Sequence, residues 1–126
     1  MELVREKEFV NQYHFDSRNP EWEKKNGIPK TNFEVTFQLI KKDQKIKQTT
    51  IVSVLQFVIV RKECVIGGVI SQMVHVKNRM INEPSEFTKN EVDSLAAPLL
   101  DMVQRLTYEV TEIAFDKPGI NLEFKS

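Results

Sequence analysis

The segment IVSVLQFVIV, at positions 51–60, constrains the fold of this chain more than any other. Its β-branched and aromatic residues are typical of a strand, and it is far shorter than the ~20 residues of a membrane-spanning helix. Alternate residues of a strand point to opposite faces. The odd-numbered face carries Ile51, Leu55, Phe57 and Ile59, and the even-numbered face carries Val52, Val54, Val58 and Val60. This strand is therefore apolar on both faces and needs a cover on each.

The sequence before this segment predicts a long first strand and a long loop. Residues 3–16 favour a strand in which aromatic residues dominate one face. That face carries Phe9, Asn11, Tyr13 and Phe15. Residues 17–32 are rich in Asn, Pro, Gly and charge, which predicts a loop that is unusually long for a compact domain. This loop carries Trp22, the single tryptophan of the chain.

Three further strands are expected to form a meander. Residues 33–42 alternate cleanly, which is typical of a half-buried strand, and a turn at positions 43–44 leads into the two-faced strand. Its inward residues are Phe33, Val35, Phe37 and Leu39. Residues 65–78 predict the last strand, and Gly67 and Gly68 indicate a bulge or a close approach of backbones there.

The pattern changes to a helical period after Pro84. Thr88 and Glu91 have the spacing of a capping box, and Phe87 and Val92 have the spacing of a hydrophobic staple. An apolar stripe follows at Val92, Leu95, Leu99, Val103, Leu106, Val110 and Ile113. This stripe predicts one amphipathic helix that packs on the sheet.

Pro98 interrupts that helical pattern. Because proline lacks an amide donor and clashes with the preceding turn, we expect a short helix that ends near Ala97, or a kink there. A longer helix is expected from Pro98 to about Ala114. The PG pair at positions 118–119 ends it, and INLEF at 120–124 predicts a short extended or docking tail.

Four strands and one principal helix form two layers, so the helix covers only one face of the sheet. Each valine left exposed to water on the other face would lose up to about 1.5 kcal/mol of burial free energy. This loss is large compared with a total domain stability of about 5–15 kcal/mol. The chain of 126 residues has none to spare for a second sheet. The remaining covers are a partner subunit, a bound apolar ligand, or the Trp22 loop folded back on the sheet.

Composition argues against several classes of function. The 18 basic and 18 acidic residues balance to a formal charge of +0, which gives no electrostatic reason to expect a nucleic acid or membrane partner. Cys64 is the single cysteine, and with only His14 and His75 beside it the sequence predicts neither a catalytic site nor a metal site. A Cys64–His75 pair on adjoining strand segments is the one conceivable exception. The charged start MELVREKE has no apolar signal core, so we expect a cytoplasmic protein.

Three short stretches resemble SecB, the bacterial protein-export chaperone family. They are the FEV at Phe33, the PLLDMVQRL at Pro98 and the PGINLEF at Pro118. The chain resembles more closely an uncharacterised family of low-GC Gram-positive bacteria that has been grouped with the SecB-like fold. The resemblance implies dimers joined sheet edge to sheet edge, tetramers packed through helices, and an apolar groove for unfolded chains under the crossover loop that carries Trp22.

SecB is strongly acidic and has a flexible tail that binds the export motor. This chain is neutral and stops at Ser126, so docking on such a motor is not expected.

The prediction is therefore a single α+β SecB-like domain over residues 1–126. It consists of a four-stranded antiparallel sheet, with a long crossover loop after the first strand, and a long C-terminal helix. We expect a homo-oligomer, dimer or tetramer, that binds extended or unfolded polypeptide without catalysis, cofactor or metal. The alternative is a self-associating structural protein without chaperone activity. The predicted surface for either role consists of Trp22, Val52, Val54, Val58 and Val60.

Overall fold

The computed structural model describes residues 1–123 and forms an antiparallel sheet with one long helix on one face. A single 3₁₀ turn, Pro84–Glu86, precedes that long helix. The other elements, in chain order, are β1 (Glu2–Arg5), β2 (Phe9–Ser17), α1 (Pro20–Asn26), β3 (Asn32–Asp43), β4 (Gln48–Val60), β5 (Cys64–Lys77) and α2 (Lys89–Phe115). The predicted α+β class with an antiparallel sheet is confirmed.

The sheet has five strands, and the prediction of four is wrong. The order is β1-β5-β4-β3, and β2 also pairs with β5, on the same side as β1. The expected single first strand is split because the charged run Glu6–Glu8 interrupts its apolar alternation. Within this break the Glu6 amide donates to the Met73 carbonyl at 2.9 Å, and the Gln72 side chain donates to the Glu6 carbonyl at 2.8 Å.

A bulge between Val10 and Gln12 also corrects the predicted face of the first strand. Phe9 pairs with Ser71 on the face away from α2 and is 64% exposed. Tyr13 and Phe15 lie on the opposite face and pack against the core. The prediction that Phe9 and Tyr13 share one face is therefore wrong, because the extra residue of a bulge reverses the alternation of side chains.

The long loop after β2 contains a short helix, α1, that the sequence analysis missed. The Asn19 side chain accepts from the Trp22 amide at 3.1 Å, and Pro20 occupies the first turn. An Asn cap followed by proline is a helix-start signal that outweighs the local Gly and Pro content. The segment still crosses from one edge of the sheet, at β2, to the other, at β3.

The predicted meander of β3, β4 and β5 is confirmed. Ile51 and Leu55 on β4 are fully buried under α2, and the inward residues of β3 are half-buried. The predicted close approach of backbones is confirmed at Gly68, where an added Cβ atom would lie 2.2 Å from the Gln12 carbonyl oxygen. At Gly67 the nearest atom would be at 3.4 Å.

The predicted end of a short helix near Ala97 is wrong, since α2 runs without interruption from Lys89 to Phe115. Pro98 has no amide to bond to the Ser94 carbonyl four residues earlier. The Arg5 guanidinium of β1 donates to that carbonyl at 2.9 Å instead. The capping box is confirmed: the Glu91 amide donates to the Thr88 hydroxyl at 3.2 Å, and the Thr88 amide donates to the Glu91 carboxylate at 2.9 Å.

The core between sheet and helix falls into two clusters. The cap-side cluster lies at the start of α2 and consists of Ile51, Val74, Val76, Ile81, Phe87 and Leu95. The tail-side cluster consists of Leu55, Phe57, Ile59, Cys64, Ile66, Ile70, Leu99, Val103 and Leu122. The predicted tail docks on the second cluster through Ile120 and Leu122, while Phe124 lies outside the described residues.

Candidate polypeptide-binding surface

The four valines that the sequence singled out lie together on the face of β4 opposite α2. Val52, Val54, Val58 and Val60 are all half-buried. Residues on the other face, such as Ile51 and Leu55, are 0% exposed. The valines are therefore not sealed from water in the single chain. The segment that carries Trp22 does not bury the four valines as fully as α2 buries the other face. Its helix, α1, has no buried residue of its own.

Strand β5 widens this apolar surface, which the sequence analysis did not predict. Val52 pairs with Met73 and Val60 pairs with Val65, and Val69 lies between them along β5. All three β5 side chains are half-buried. The sequence signal for this extension is the recurrence of apolar residues at the odd positions 65, 69 and 73 of β5. We call the outer stripe the set Val52, Val54, Val58, Val60, Val65, Val69 and Met73.

Polar columns border the outer stripe on both sides. The β3 column is exposed and carries Asn32, Glu34, Thr36 and Gln38. The β2 column is exposed and carries Gln12, His14 and Asp16. At about 3.3 Å per residue the stripe runs roughly 27 Å from Val52 to Val60, and it is two strands wide. These dimensions suit one extended segment of polypeptide.

The outer stripe contains a shallow depression of about 270 Å³. Val58 and Val69 line it together with Gln56 and Glu34. A depression lined by apolar and polar groups in this way can take one side chain of an extended segment and a hydrogen bond beside it.

One end of the outer face is tied together by a chain of polar contacts. The His75 ring contacts the Thr50 hydroxyl through Nδ1 at 2.9 Å and the Glu6 carboxylate through Nε2 at 2.9 Å. A hydroxyl, an imidazole and a carboxylate in line have the order of a nucleophilic relay. However, Thr50 is only 7% exposed, and its hydroxyl lies under the His75 contact, so the three groups are assigned a structural role. The contacts join β4, β5 and the break after β1.

The structure does not bring Cys64 and His75 together. Cys64 is 0% exposed on the α2 side of β5, and His75 lies on the outer face near the other end of that strand. Eleven residues of strand separate them by roughly 36 Å. Burial raises the pKa of the Cys64 thiol, which lowers its thiolate fraction and its reactivity.

Trp22 lies apart from the valines, on α1, and is 53% exposed. The crossover segment is attached to the end of the sheet that carries Val60: the Val60 amide donates to the Thr31 hydroxyl at 2.9 Å, and Arg18 donates to the Arg61 carbonyl at 3.3 Å. Arg18 also forms an ion pair with Glu23 of α1, and this hydrogen bond lowers the pKa of that carboxyl group. The structure thus gathers the four valines and places Trp22 on the segment that crosses that end of the sheet.

Within residues 1–123, no three side chains of His, Cys, Asp or Glu gather as ligands for a metal ion. In the same part of the chain, no helix combines the length and apolar character that crossing a bilayer requires.

The chain matches a family model, described as protein of unknown function (DUF1149), over residues 1–124. The chain belongs to the DUF1149 family. A crystal structure of a protein of unknown function from Streptococcus agalactiae is 69% identical, with a TM-score of 0.96 and coverage of 98% of both chains. No curated protein matches the sequence.

A more distant solved structure identifies the fold. The Mycobacterium tuberculosis Rv1957 SecB-like chaperone, in complex with a ChAD peptide from the Rv1956 HigA1 antitoxin, superposes with a TM-score of 0.53. The match covers 98% of this chain and 90% of that one at 9% identity, so it shows the fold alone. This DUF1149 protein has a SecB-like fold, as the sequence resemblance implied.

Proposed function

We propose that this DUF1149 protein is a non-catalytic, cytoplasmic, chaperone-like protein that binds extended apolar segments of unfolded polypeptide. The outer stripe is the observation that carries the proposal. Its valines remain half-buried on the face opposite α2, where an apolar surface stays in contact with water. An apolar surface of this kind, bordered by polar residues and interrupted at Gln56 and Ser71, is typical of a binding surface.

The outer stripe is suited to binding because it is already ordered. Its valines are β-branched and sit in paired strands, so they lose little side-chain freedom when covered. Covering the remainder of each valine contributes a fraction of the roughly 1.5 kcal/mol that its full burial provides. Several such contacts along roughly 27 Å add up to a useful binding energy for one extended segment.

Strand β3 offers the same polypeptide, or a second copy of the chain, a place to pair. In the sheet described for residues 1–123, β3 is the last strand of the order β1-β5-β4-β3 and therefore lies at an edge. Addition of a strand at such an edge is a common mode of peptide recognition and of self-association. In this proposal the protein is a homo-oligomer, as the SecB-like resemblance implies.

The mycobacterial comparison supports the proposal at the level of the fold. Rv1957 is described as a SecB-like chaperone in complex with a peptide. A protein with this fold therefore binds peptide. For this chain, Trp22 is the proposed contact at the end of the surface, because it is 53% exposed on the crossover segment near Val60.

Binding is tested with a fluorescently labelled, permanently unfolded model protein whose anisotropy rises when it is bound. The variant Val54→Thr/Val58→Thr keeps shape and strand preference but removes two methyl groups from the outer stripe. Its affinity is expected to fall about tenfold, since each change removes roughly 0.7 kcal/mol of apolar burial and the two together remove about 1.4 kcal/mol. Val4→Thr, the same change at a 48% exposed valine of β1 outside the outer stripe, is the matched control and should bind like the wild type. No binding by the wild type, or equal binding by the double variant, contradicts the proposal.

The alternative function is self-association that consumes the outer stripe entirely. It predicts that the wild type is a stable oligomer that does not bind the unfolded probe. It also predicts that Val54→Thr/Val58→Thr lowers the mass measured by light scattering. In the proposed function the double variant keeps its mass and loses probe binding.

A further inference from the structure

Two interruptions of regular structure and one buried polar pair lie at one level of this fold. The first strand breaks at Glu6–Glu8, between β1 and β2. Helix α2 lacks a backbone hydrogen bond at Ser94, because Pro98 has no amide to donate. Between the two core clusters, the sheet face under α2 carries the polar pair Ser53 and Gln72.

The register of the sheet shows that these features coincide. Ser53 pairs with Gln72, while the neighbouring inward pairs, Ile51–Val74 and Leu55–Ile70, belong to the cap-side and tail-side clusters respectively. On α2 the division falls at Pro98, because Leu95 belongs to the cap-side cluster and Leu99 to the tail-side cluster. We call this level the polar seam.

The contacts at the polar seam are weak for a protein interior. Ser53 is 0% exposed and Gln72 is 3% exposed. Nevertheless the Ser53 hydroxyl, the Gln72 carbonyl oxygen and the Arg5 Nη1 have no hydrogen-bond partner among the described residues. Each buried polar group without a partner costs about 1–3 kcal/mol, and opening to water removes that cost. The packing of α2 on the sheet is therefore least stabilising at the polar seam.

Arg5 holds the seam closed from the edge of the sheet. Its Nη2 donates to the Ser94 carbonyl at 2.9 Å and lies 3.3 Å from the Ser94 hydroxyl. This is the carbonyl that Pro98 leaves without its helical donor. One side chain of β1 thus supplies the missing bond of α2 and attaches the first third of the helix to the edge of the sheet.

We infer that the polar seam is a joint: the first third of α2, Lys89–Ala97, opens from the sheet by pivoting at Pro98, and Arg5 of β1 is the contact that holds it closed. Opening uncovers the cap-side cluster and leaves the tail-side cluster packed. Strands β4 and β5 run through the seam without a break, so the sheet itself stays intact. This inference does not depend on the proposed function.

Hydrogen exchange of the full chain, read by mass spectrometry or NMR, tests the joint. Amides of residues 93–97 are expected to exchange at least about tenfold faster than those of residues 103–107, because they open without global unfolding. Pro98→Ala restores a donor to Ser94 and should narrow this gap about two- to tenfold, the value of one net hydrogen bond. Pro118→Ala, at an exposed position after the helix, controls for the effect of proline on the unfolded state.

Arg5→Met is the second variant, because it keeps the apolar stem and removes the donor. It is expected to speed exchange at residues 93–97 and to leave residues 103–107 unchanged. The joint is disproved if both segments share one exchange rate that follows global unfolding. It is equally disproved if the gap responds alike to Pro98→Ala and Pro118→Ala, or if Arg5→Met leaves it unchanged.

Discussion

Adjacent glycines in β5 allow a matched pair of substitutions with opposite expected results. An added Cβ at Gly68 would lie 2.2 Å from the Gln12 carbonyl oxygen and 2.8 Å from the Phe57 ring. An added Cβ at Gly67 would meet only the Phe57 carbonyl oxygen, at 3.4 Å, which is ordinary contact. Both positions have a backbone conformation that alanine adopts readily, because neither has a φ in the left-handed range.

The structure sets the size of the two effects. At Gly68 the nearest obstacle is backbone, which no change of rotamer relieves, so β2 must shift next to its bulge. Overpacking of this kind costs about 1–3 kcal/mol, and we expect Gly68→Ala at the upper end. Gly67→Ala instead reduces the freedom of the unfolded chain, a gain of about 0.4–1 kcal/mol. The two variants should therefore differ by about 3–4 kcal/mol in free energy of unfolding.

Urea denaturation followed by the fluorescence of Trp22 and by circular dichroism measures both variants. Gly68→Ala should unfold at clearly lower urea, with a melting temperature lower by about 5–15 °C, while Gly67→Ala should match or exceed the wild type. Equal destabilisation of the two variants would refute the reasoning. It would mean that the close approach of β2 to β5 at Gln12 is not the reason for glycine there.

Three further measurements follow from the structure. The Cys64 thiol is buried and its pKa is raised, so a thiol reagent at pH 8 should modify the native protein far more slowly than the urea-unfolded protein. The pKa of Glu91 lies below its ordinary value of 4.5, chiefly through the Thr88 amide, so its contribution to stability is full above that value and is lost as the pH falls through the lowered pKa. Glu91→Gln should weaken this part of the pH dependence in urea titrations. Gly119→Ala would place a Cβ 2.1 Å from the Tyr108 carbonyl oxygen, so it should release the tail to limited proteolysis and destabilise the protein by about 1–3 kcal/mol.

Each of these three expectations has a result that would contradict it. Rapid labelling of native Cys64 would place the thiol at the surface. If the Glu91→Gln variant lost stability at low pH as the wild type does, the Glu91 carboxylate of the capping box would not be the cause of that loss. A Gly119→Ala tail as protease-resistant as the wild-type tail would show that Tyr108 does not hold it.

The sequence predicted the elements whose patterns are local and regular. The alternation around Val35 and Ile51, the Thr88 capping box and the helical stripe of α2 each carry their own periodicity, so the meander and the helix follow from them. The four valines were correctly placed on one face, since the side-chain period of a strand assigns them without any tertiary information.

The structure differs from the prediction at positions where one residue changes the conformation of its neighbours. The bulge after Val10 reverses the faces of the first strand, and nothing local in Asn11 marks it. The helix continues past Pro98 because Arg5, far away in the sequence, supplies a donor to Ser94. The outer stripe was only half predicted, because Gly67 and Ser71 interrupt the apolar alternation of β5.

Strand β5 is the partner of β1, β2 and β4 alike, and this has a consequence for biosynthesis. The chain leaves the ribosome from its N-terminus, but Glu2 pairs with Lys77 and Phe9 pairs with Ser71. The first two strands therefore emerge long before their partner exists, while β3, β4 and β5 close by short turns. We expect the meander to form first and the nascent N-terminus to wait with Phe9 and Phe15 in water, where it is open to chaperones and to aggregation.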